Sequence, residues 1–302
     1  MNIAIVGATG NVGIKTLEVL KKKGVFIDNL YLVASSKSAG KKIHFQGKDI
    51  LVSELEDFDF SKVKIAFFAA GGKISEKFAE KAAEHCFVID NSSYFRMDPD
   101  VPLIVPQVNS DDLNNIKKNI IANPNCSTAQ LVIALKPLHD LFTIKRIVVS
   151  TYQSVSGAGK ASMDELIKQT KLALDGKEIK SENFTKQIAF NAIPHIDVFS
   201  DDGYTKEELK MCNETKKILD DKIDLTATCV RLPISVSHSE SVNIQFEKTF
   251  SLKQINEALN SFDGCKVIDE RVMVDIQHHW RQREKMRHLF QGSGKIKQLK
   301  MD

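Results

Sequence analysis

The chain has 302 residues, of which 42% are hydrophobic and 27% are charged, proportions typical of a globular protein and sufficient for two domains. The formal net charge of +3 is too small to indicate a nucleic-acid-binding surface. No apolar run approaches the length of a membrane span and the N-terminus begins directly in a strand, so we expect neither a membrane anchor nor a signal peptide. The five cysteines are scattered, without the paired spacing of a metal site, which favours a reducing cytoplasm.

A glycine-rich turn follows the first predicted strand, residues 2–6, and precedes an amphipathic helix predicted over residues 14–23. Gly7, Gly10 and Gly13 allow the backbone to turn tightly and to approach a pyrophosphate, which accepts hydrogen bonds from the free N–H groups of the helix start. Because strand, turn and helix occur in the order that this motif requires, we predict a dinucleotide site here rather than a merely structural turn.

The end of the second predicted strand, residues 30–33, indicates which dinucleotide is bound. An Asp or Glu there would bind the ribose 2′-hydroxyl of NAD, but residues 34–39 supply hydroxyl groups and the cation of Lys37 instead. These groups suit a 2′-phosphate, so we expect NADP. The alternative is an ordinary polar loop.

Strand and helix patterns then alternate, with strands predicted over residues 64–70, 87–90 and 119–122 and helices over 75–84 and 111–117. This alternation predicts an α/β fold with a doubly wound, Rossmann-type parallel sheet. A second, α+β region is predicted from a strand at 146–151, a helix at 162–174 and strands at 225–230 and 242–247. The boundary between the two regions is expected close to Cys126.

Cys126 lies in the run Asn-Pro-Asn-Cys-Ser-Thr, residues 123–128, directly before an apolar stretch that predicts a helix. Pro124 ends any earlier helix, and Asn125 or Ser127 is placed to cap the new one. The unpaired N–H groups and positive dipole end of a helix stabilise a thiolate, which is the nucleophilic form of cysteine. Cys126 is therefore a candidate nucleophile, and the alternative is a small buried core residue.

Several motifs occur together in the order typical of one enzyme family. They are the fingerprint 7–13, Lys37 and Ser38, the block 91–97, the run 123–128, the segment 152–159, the cluster 207–210, and the pair Arg231 and His238. Over residues 1 to about 270 the chain resembles the aspartate-β-semialdehyde dehydrogenases. The resemblance implies NADP-dependent, reversible reductive dephosphorylation of L-4-aspartyl phosphate to L-aspartate 4-semialdehyde and phosphate, through a cysteine thioester.

The same resemblance implies a place in the biosynthesis of lysine and diaminopimelate, methionine and threonine. It implies a cytoplasmic homodimer or homotetramer whose partners are small molecules, not nucleic acid or membranes. It further implies a Rossmann-like NADP-binding domain over residues 1–125 and a catalytic and dimerisation domain over residues 126–271.

Residue roles follow from the resemblance, position by position. It makes Cys126 the nucleophile and His238 the general acid/base. Substrate is bound by Gln153, Glu207 and Arg231, with Arg96 and Lys210 as a phosphate clamp. The cofactor-binding residues that it implies are Gly7, Thr9, Gly10, Asn11, Val12, Gly13, Lys37, Ser38, Ser156 and Gly157. It implies no metal site.

The chemistry of these residue types agrees with the roles, although each has an ordinary structural alternative. Histidine titrates near neutral pH and can shuttle a proton, and arginine binds carboxylate or phosphate bidentately. Taken alone, His238 would suit a hydrogen-bonded structural role, and Arg96 and Arg231 would suit surface ion pairs. Glu207 and Lys210, one helical turn apart, either bracket an amino acid substrate or form a solvated pair.

The tail, residues 272–302, departs from the family pattern. It is basic, pattern-poor and contains the only tryptophan, Trp280. Back-translated and read in another frame, residues 275–287 can spell a family-like Tyr-Ser-Thr-Pro segment, so we interpret the tail as a frameshift product. On this interpretation the second domain is incomplete at its C-terminal end and the chain is unstable or weakly active. Two rival functions follow: an inactive remnant or cofactor-binding module, and an enzyme like N-acetyl-γ-glutamyl-phosphate reductase.

Overall fold

The computed structural model describes residues 1–268 and the backbone of residues 288–290. The rest of the tail predicted as foreign therefore lies outside the described residues, as does the predicted truncation of the second domain. The chain divides into two compact units, Met1–Asn125 and a second that begins at Cys126. None of the helices in the described part is long and apolar enough to cross a membrane.

The first unit is a seven-stranded sheet with helices packed against it. Its strands are β1 (Ile3–Val6), β2 (Leu30–Ala34), β3 (Lys42–Phe45), β4 (Lys48–Glu54), β5 (Ile65–Phe68), β6 (Phe87–Asp90) and β7 (Ile120–Ala122). Its helices are α1 (Asn11–Lys22), α2 (Gly72–Ala83) and α3 (Pro106–Asn109), with 3₁₀ turns at Phe60–Lys62 and Ser110–Asn115. The strand order is β3-β4-β2-β1-β5-β6-β7, and every pair is parallel except the hairpin β3-β4.

The strand order reverses at β1, which lies between β2 and β5, and ligands of doubly wound sheets bind at such a reversal. The turn at this reversal requires glycine because its backbone lies very close to neighbouring backbone atoms. Gly7 has a φ of +85°, and a Cβ built on it would lie 2.8 Å from the carbonyl carbon of Ala69, just after β5. A Cβ on Gly13 would overlap the carbonyl oxygen of Gly7 and lie 2.8 Å from Cα of Ala8. These two glycines let α1 start directly against the ends of β1 and β5.

The second unit has a three-stranded sheet and helices on one of its faces. Its elements are α4 (Cys126–Phe142), β8 (Ile144–Gln153), a 3₁₀ turn at Val155–Ala158, α5 (Lys160–Leu174), α6 (Lys206–Ile218), β9 (Asp224–Arg231), β10 (His238–Phe246), α7 (Leu252–Ser261), β11 (Cys265–Val267) and β12 (His288–Phe290). The order is β10-β8-β9, with β8 parallel to β9 and antiparallel to β10. The main core joins Leu131 and Leu135 of α4, Met211 of α6, and Ile147 and Val149 of β8. Separately, β11 pairs in parallel with β12.

The predicted fold class is confirmed: a Rossmann-type parallel sheet is followed by a second unit with its own sheet. The hairpin β3-β4 was not predicted, because its turn is formed by Gln46 and Gly47, with φ of 48° and 82°. Such a turn normally carries Asn-Gly or Asp-Gly. The helix predicted over 111–117 is instead the 3₁₀ turn Ser110–Asn115. Cys86 lies in the turn between α2 and β6.

We expect Gly13→Ala to destabilise the first unit by about 1–3 kcal/mol or more, because the added methyl group overlaps rigid backbone. The matched control is Gly10→Ala, since Gly10 has a φ of −83° and a Cβ there meets only the oxygen of Gly7, at 3.4 Å. Thermal unfolding without cofactor measures the stability of both variants. Equal melting temperatures for the two variants would contradict the packing argument.

Candidate active site

Cys126 is the first residue of α4, and its side chain is exposed. All five cysteines lie in the described part of the chain, and the other four are buried or half-buried. Burial raises the pKa of Cys86 to about 11 and those of Cys229 and Cys265 to about 12, so these thiols stay protonated at neutral pH. The first N–H groups of a helix have no intrahelical acceptor and carry a partial positive charge. The position of Cys126 therefore favours a reactive thiolate.

His238 is the first residue of β10 and pairs across the sheet with Gln153, the last residue of β8. The backbone N–H of Ser154 donates to Nδ1 of His238 at 3.1 Å. Because Nδ1 accepts this hydrogen bond, the neutral imidazole carries its proton on Nε2. Nε2 is directed towards Gly157, where an added Cβ would lie 3.6 Å from it. The ring is thus oriented with its N–H donor at Nε2.

Arg231 is the last residue of β9, and it is only 7% exposed, unlike a surface ion pair. Its Nη1 donates to the carbonyl oxygen of Ser154 at 2.6 Å. Burial lowers the pKa of Arg231, while the negative charges of Glu207 and of a Cys126 thiolate act in the opposite direction. Since arginine stays protonated in proteins, a guanidinium charge is held within electrostatic range of both groups. A Cβ on Gly157 would lie 3.3 Å from Nη1.

A chain of polar contacts runs from the end of β8 to α6. Nε2 of Gln153 donates to Oε1 of Glu207 at 3.3 Å, and Nζ of Lys210 donates to Oε2 of Glu207 at 3.4 Å. The side chain of Glu207 is 7% exposed and that of Lys210 is 26% exposed. This is therefore a largely buried cluster and not a solvated surface pair.

Asp197 completes this chain, and the sequence did not reveal it. Its Oδ2 accepts from Nζ of Lys210 at 2.7 Å, and its Oδ1 accepts from the N–H of Val198 at 2.9 Å. Asp197 has a φ of 69°, in the left-handed region that costs a non-glycine residue about 1–3 kcal/mol. Burial alone would lower the pKa of Lys210, but the hydrogen bond to Asp197 and the charge of Glu207 raise it above its usual value. The ammonium group is thus held charged.

The remaining predicted residues of the second unit lie in the turn after β8. Ser156 and Gly157 belong to the 3₁₀ turn Val155–Ala158, and the hydroxyl groups of Ser154 and Ser156 lie 3.0 Å apart. The second unit therefore brings together the candidate nucleophile, the histidine, the buried arginine, the Gln153-Glu207-Lys210 chain and this turn.

The other predicted cofactor residues lie in the first unit, at the ends of β1 and β2. Thr9 Oγ1 donates to Oγ of Ser38 at 3.3 Å, which joins the glycine turn to the loop after β2. Lys37 is exposed and Ser38 is half-buried. Gly10 occupies the N-cap of α1 and offers no side-chain acceptor to the helix N–H groups. Hydroxyls, an exposed cation and a helix start without a side-chain cap form a donor set that fits a phosphate-bearing dinucleotide.

Arg96 is also in the first unit and is 7% exposed. Its Nε donates to the carbonyl oxygen of Asn123 at 2.9 Å, and its Nη2 donates to that of Asn91 at 3.2 Å. The side chains of these two asparagines are joined by a 2.6 Å hydrogen bond. Arg96 thereby fixes the segment that leads into Cys126.

Several known proteins are similar to this chain in sequence. A family model described as "Semialdehyde dehydrogenase, NAD binding domain" matches residues 2–116, and one described as "Semialdehyde dehydrogenase, dimerisation domain" matches residues 135–282. The chain is 52% identical to aspartate-semialdehyde dehydrogenase of Aquifex aeolicus, with 88% of this chain and 80% of the relative covered. It is 47% identical to aspartate-semialdehyde dehydrogenase 2 of Vibrio cholerae, with 92% and 89% covered.

Solved structures show the same likeness. The crystal structure of aspartate semialdehyde dehydrogenase II from Vibrio cholerae, complexed with ASA, matches with a TM-score of 0.88 and 48% identity, over 89% of this chain and 81% of that chain. The crystal structure of aspartate semialdehyde dehydrogenase with NADP from Candida albicans matches with a TM-score of 0.65 and 25% identity, over 89% and 82%.

We expect Asp197→Asn to lower the free energy of unfolding by about 1 kcal/mol at pH 7, a value discounted for solvent screening because the Asp197 side chain is 35% exposed. The pKa of Asp197 is lowered in the fold, since its hydrogen bonds to Lys210 and Val198 outweigh burial. Its contribution is therefore present above the usual aspartate pKa and is lost as the pH falls through the lowered value.

Urea unfolding at pH 7 and at pH 3 tests this expectation, with the exposed Asp201→Asn as the matched control. The Asp197 variant should be the less stable one at pH 7, and the difference between the two variants should be smaller at pH 3. Equal stability of the two variants at pH 7 would show that the contact with Lys210 contributes nothing.

Proposed function

Because the chain belongs to the aspartate-semialdehyde dehydrogenase family, a family of oxidoreductases of amino-acid biosynthesis, we propose that it converts L-4-aspartyl phosphate reversibly to L-aspartate 4-semialdehyde and phosphate with NADPH. The observation that carries the proposal is an exposed cysteine at a helix start, in the same unit as an oriented histidine and a buried arginine. The reaction would supply the biosynthesis of lysine and diaminopimelate, methionine and threonine.

In the oxidative direction the sulfur of Cys126 forms the first new bond. Its thiolate adds to the aldehyde carbon, and the carbonyl oxygen takes a proton to give a thiohemiacetal. The chemistry that a nicotinamide would supply when bound is acceptance of a hydride from this carbon, and loss of the hydroxyl proton at the same time leaves a thioester. Phosphate then attacks the thioester carbon and expels the Cys126 thiolate, so that the acyl phosphate is released and the enzyme is restored.

His238 is suited to the proton transfers of this sequence. Its Nδ1 is occupied by the N–H of Ser154, so Nε2 is the atom that exchanges protons with the substrate oxygen and the thiol. A positioned acid/base of this kind contributes about 10²- to 10⁴-fold in rate.

Charged groups of the second unit are arranged for an amino acid substrate. Arg231 presents a guanidinium for the substrate α-carboxylate, and Glu207 presents a carboxylate for its α-ammonium group. Gln153 holds Glu207 through Nε2, and its side-chain amide oxygen is proposed to accept a hydrogen bond from the substrate. Lys210, kept protonated by Asp197, and Arg96 in the first unit are proposed ligands of the phosphate group. A reductase of an N-acetylated substrate would have no ammonium group for Glu207 to bind.

We assign NADP to the first unit, where the residues fit it. Thr9, Lys37 and Ser38 would hold its 2′-phosphate, and the residues of the glycine turn with the start of α1 would hold its pyrophosphate. Ser156 and Gly157 are proposed to contact the nicotinamide side. The exposed Lys37 and the absence of a carboxylate at the end of β2 both support NADP over NAD.

A homodimer is part of the proposal. In β8, Val148, Ser150 and Tyr152 alternate with buried residues and lie on the face away from the main core, where Tyr152 is 39% exposed. This open face has small and uncharged side chains at its centre and belongs to the segment matched by the dimerisation-domain model. Pairing of two such faces would cover it.

The first test is Cys126→Ser, assayed by phosphate-dependent reduction of NADP⁺ with aspartate semialdehyde. We expect kcat to fall at least about 10³-fold, because the hydroxyl is a far weaker nucleophile without activation. Cys212→Ser is the matched control, since Cys212 is half-buried on α6, and its kcat should stay near that of the wild type. Undiminished turnover by the Cys126 variant would refute the covalent mechanism, and no turnover by the wild type would favour an inactive remnant.

The cofactor assignment is tested by Lys37→Ala. Loss of one charge-assisted contact to a 2′-phosphate should raise KM for NADP about 10- to 100-fold and leave KM for NAD unchanged. Lys41→Ala, also exposed, is the control for a general loss of positive charge. An equal effect of Lys37→Ala on both cofactors would contradict NADP preference.

A further inference from the structure

Glu240 lies on β10 two residues after His238, so both side chains are on the same face of the strand. Across the ladder Glu240 pairs with Thr151 and His238 pairs with Gln153, which are also two residues apart on β8. This is the face that α4 covers, because Val149, next in the same row, packs in the main core with Leu131 of α4. A carboxyl group therefore lies where the apolar core meets the histidine.

Gln130 approaches this carboxyl group from α4. Its Nε2 donates to Oε1 of Glu240 at 2.6 Å. Gln130 follows Cys126 by four residues, so the two side chains lie on the same side of the helix, one turn apart. A single hydrogen bond thus ties the turn of α4 that begins with the candidate nucleophile to the strand that begins with the candidate acid/base.

The surroundings of Glu240 favour its neutral form. Gln130 from α4 and Thr151 from β8 are uncharged. The titratable and charged groups on the same face are Cys229, which keeps its proton, Arg231, His238 and, through its contact with Gln153, Glu207 of α6. Burial raises the pKa of Glu240 to about 8, and the hydrogen bond from Gln130 opposes this only in part. An apolar residue would fill the position at no desolvation cost, so the carboxyl group is retained at an energetic disadvantage.

We propose that the hydrogen bond from Gln130 to Glu240 is a positioning contact that sets the start of α4, and with it Cys126, relative to His238. The proposal rests on the roles given above to those two residues. Neither Gln130 nor Glu240 touches substrate; both act through the residues that precede them on their own elements. A displacement of about 1 Å between reacting groups lowers a rate about 10²-fold, so a contact of this kind has a measurable effect without altering the fold.

The test uses Glu240→Met and Gln130→Met, which preserve side-chain length but break the bond. Both should lower kcat about 10- to 100-fold with little change in KM, and should slow alkylation of Cys126 by iodoacetamide. Glu240→Gln keeps an acceptor for Gln130 and should restore both rates. Gln245→Met, at an exposed site on the same strand, is the control. In the double Met variant the two losses should not add, because they remove one bond.

Alkylation separates this proposal from the proposed function, since it needs neither substrate nor cofactor and is calibrated by Cys126→Ser. If the wild type shows no turnover, the proposed function fails while the alkylation rates still test the contact. Folded Met variants with wild-type kcat and alkylation rates would overturn the positioning role. Unfolded Met variants would also overturn it, because the contact would then be needed for the fold and not for alignment.

The raised pKa of Glu240 gives a further readout with a definite sign. Its folded pKa of about 8 exceeds that of an unfolded glutamate, near 4.3, so the folded state binds more protons between these values and stability falls as the pH rises across that interval. Glu240→Gln removes this loss. We expect the variant to be the more stable protein at pH 9 and to lack the decline, as measured by urea unfolding from pH 5 to pH 9. A parallel decline in both proteins would show that Glu240 does not titrate there.

Discussion

The packing of α4 against the three-stranded sheet is the constraint on which the candidate chemistry depends. Leu131 and Leu135 lie in one core with Ile147 and Val149 of β8, so α4 cannot rotate or slide without opening that core. The helix start, where Cys126 stands, is therefore fixed by side chains that have no part in catalysis. The strands supply the other groups at their ends. Gln153 is the last residue of β8, Arg231 is the last residue of β9, and His238 is the first residue of β10.

The ionic groups next to the end of β8 are held by neighbouring polar side chains. Glu207 lies between Gln153 and Lys210, and Lys210 lies between Glu207 and Asp197. A substrate that carries both an ammonium and a carboxylate would enter a site whose ions are already oriented, which lowers the reorganisation that binding requires. The strained backbone of Asp197 is consistent with this arrangement, because strain persists where surrounding contacts over-determine a conformation.

The sequence allowed the parallel sheet, the glycine turn and the start of α4 to be predicted, because each depends on local pattern and on residues adjacent in the chain. Asp197 and Glu240 were not predicted. Asp197 meets Lys210 thirteen positions away through a loop without periodicity, and Glu240 meets Gln130 across 110 positions. The hairpin β3-β4 was missed for a different reason, since its turn has an unusual first residue. Contacts between distant elements leave no local pattern in the sequence, and a single sequence contains no other kind of signal for them.

The backbone of one residue, Ser154, contacts two of the candidate site residues at once. The N–H of Ser154 orients the imidazole of His238, and the carbonyl oxygen of the same residue holds the guanidinium of Arg231. The proton-transfer group and the anion-binding group are consequently both oriented by the backbone of the same residue. A displacement of Ser154 would therefore disturb the orientation of both side chains at once.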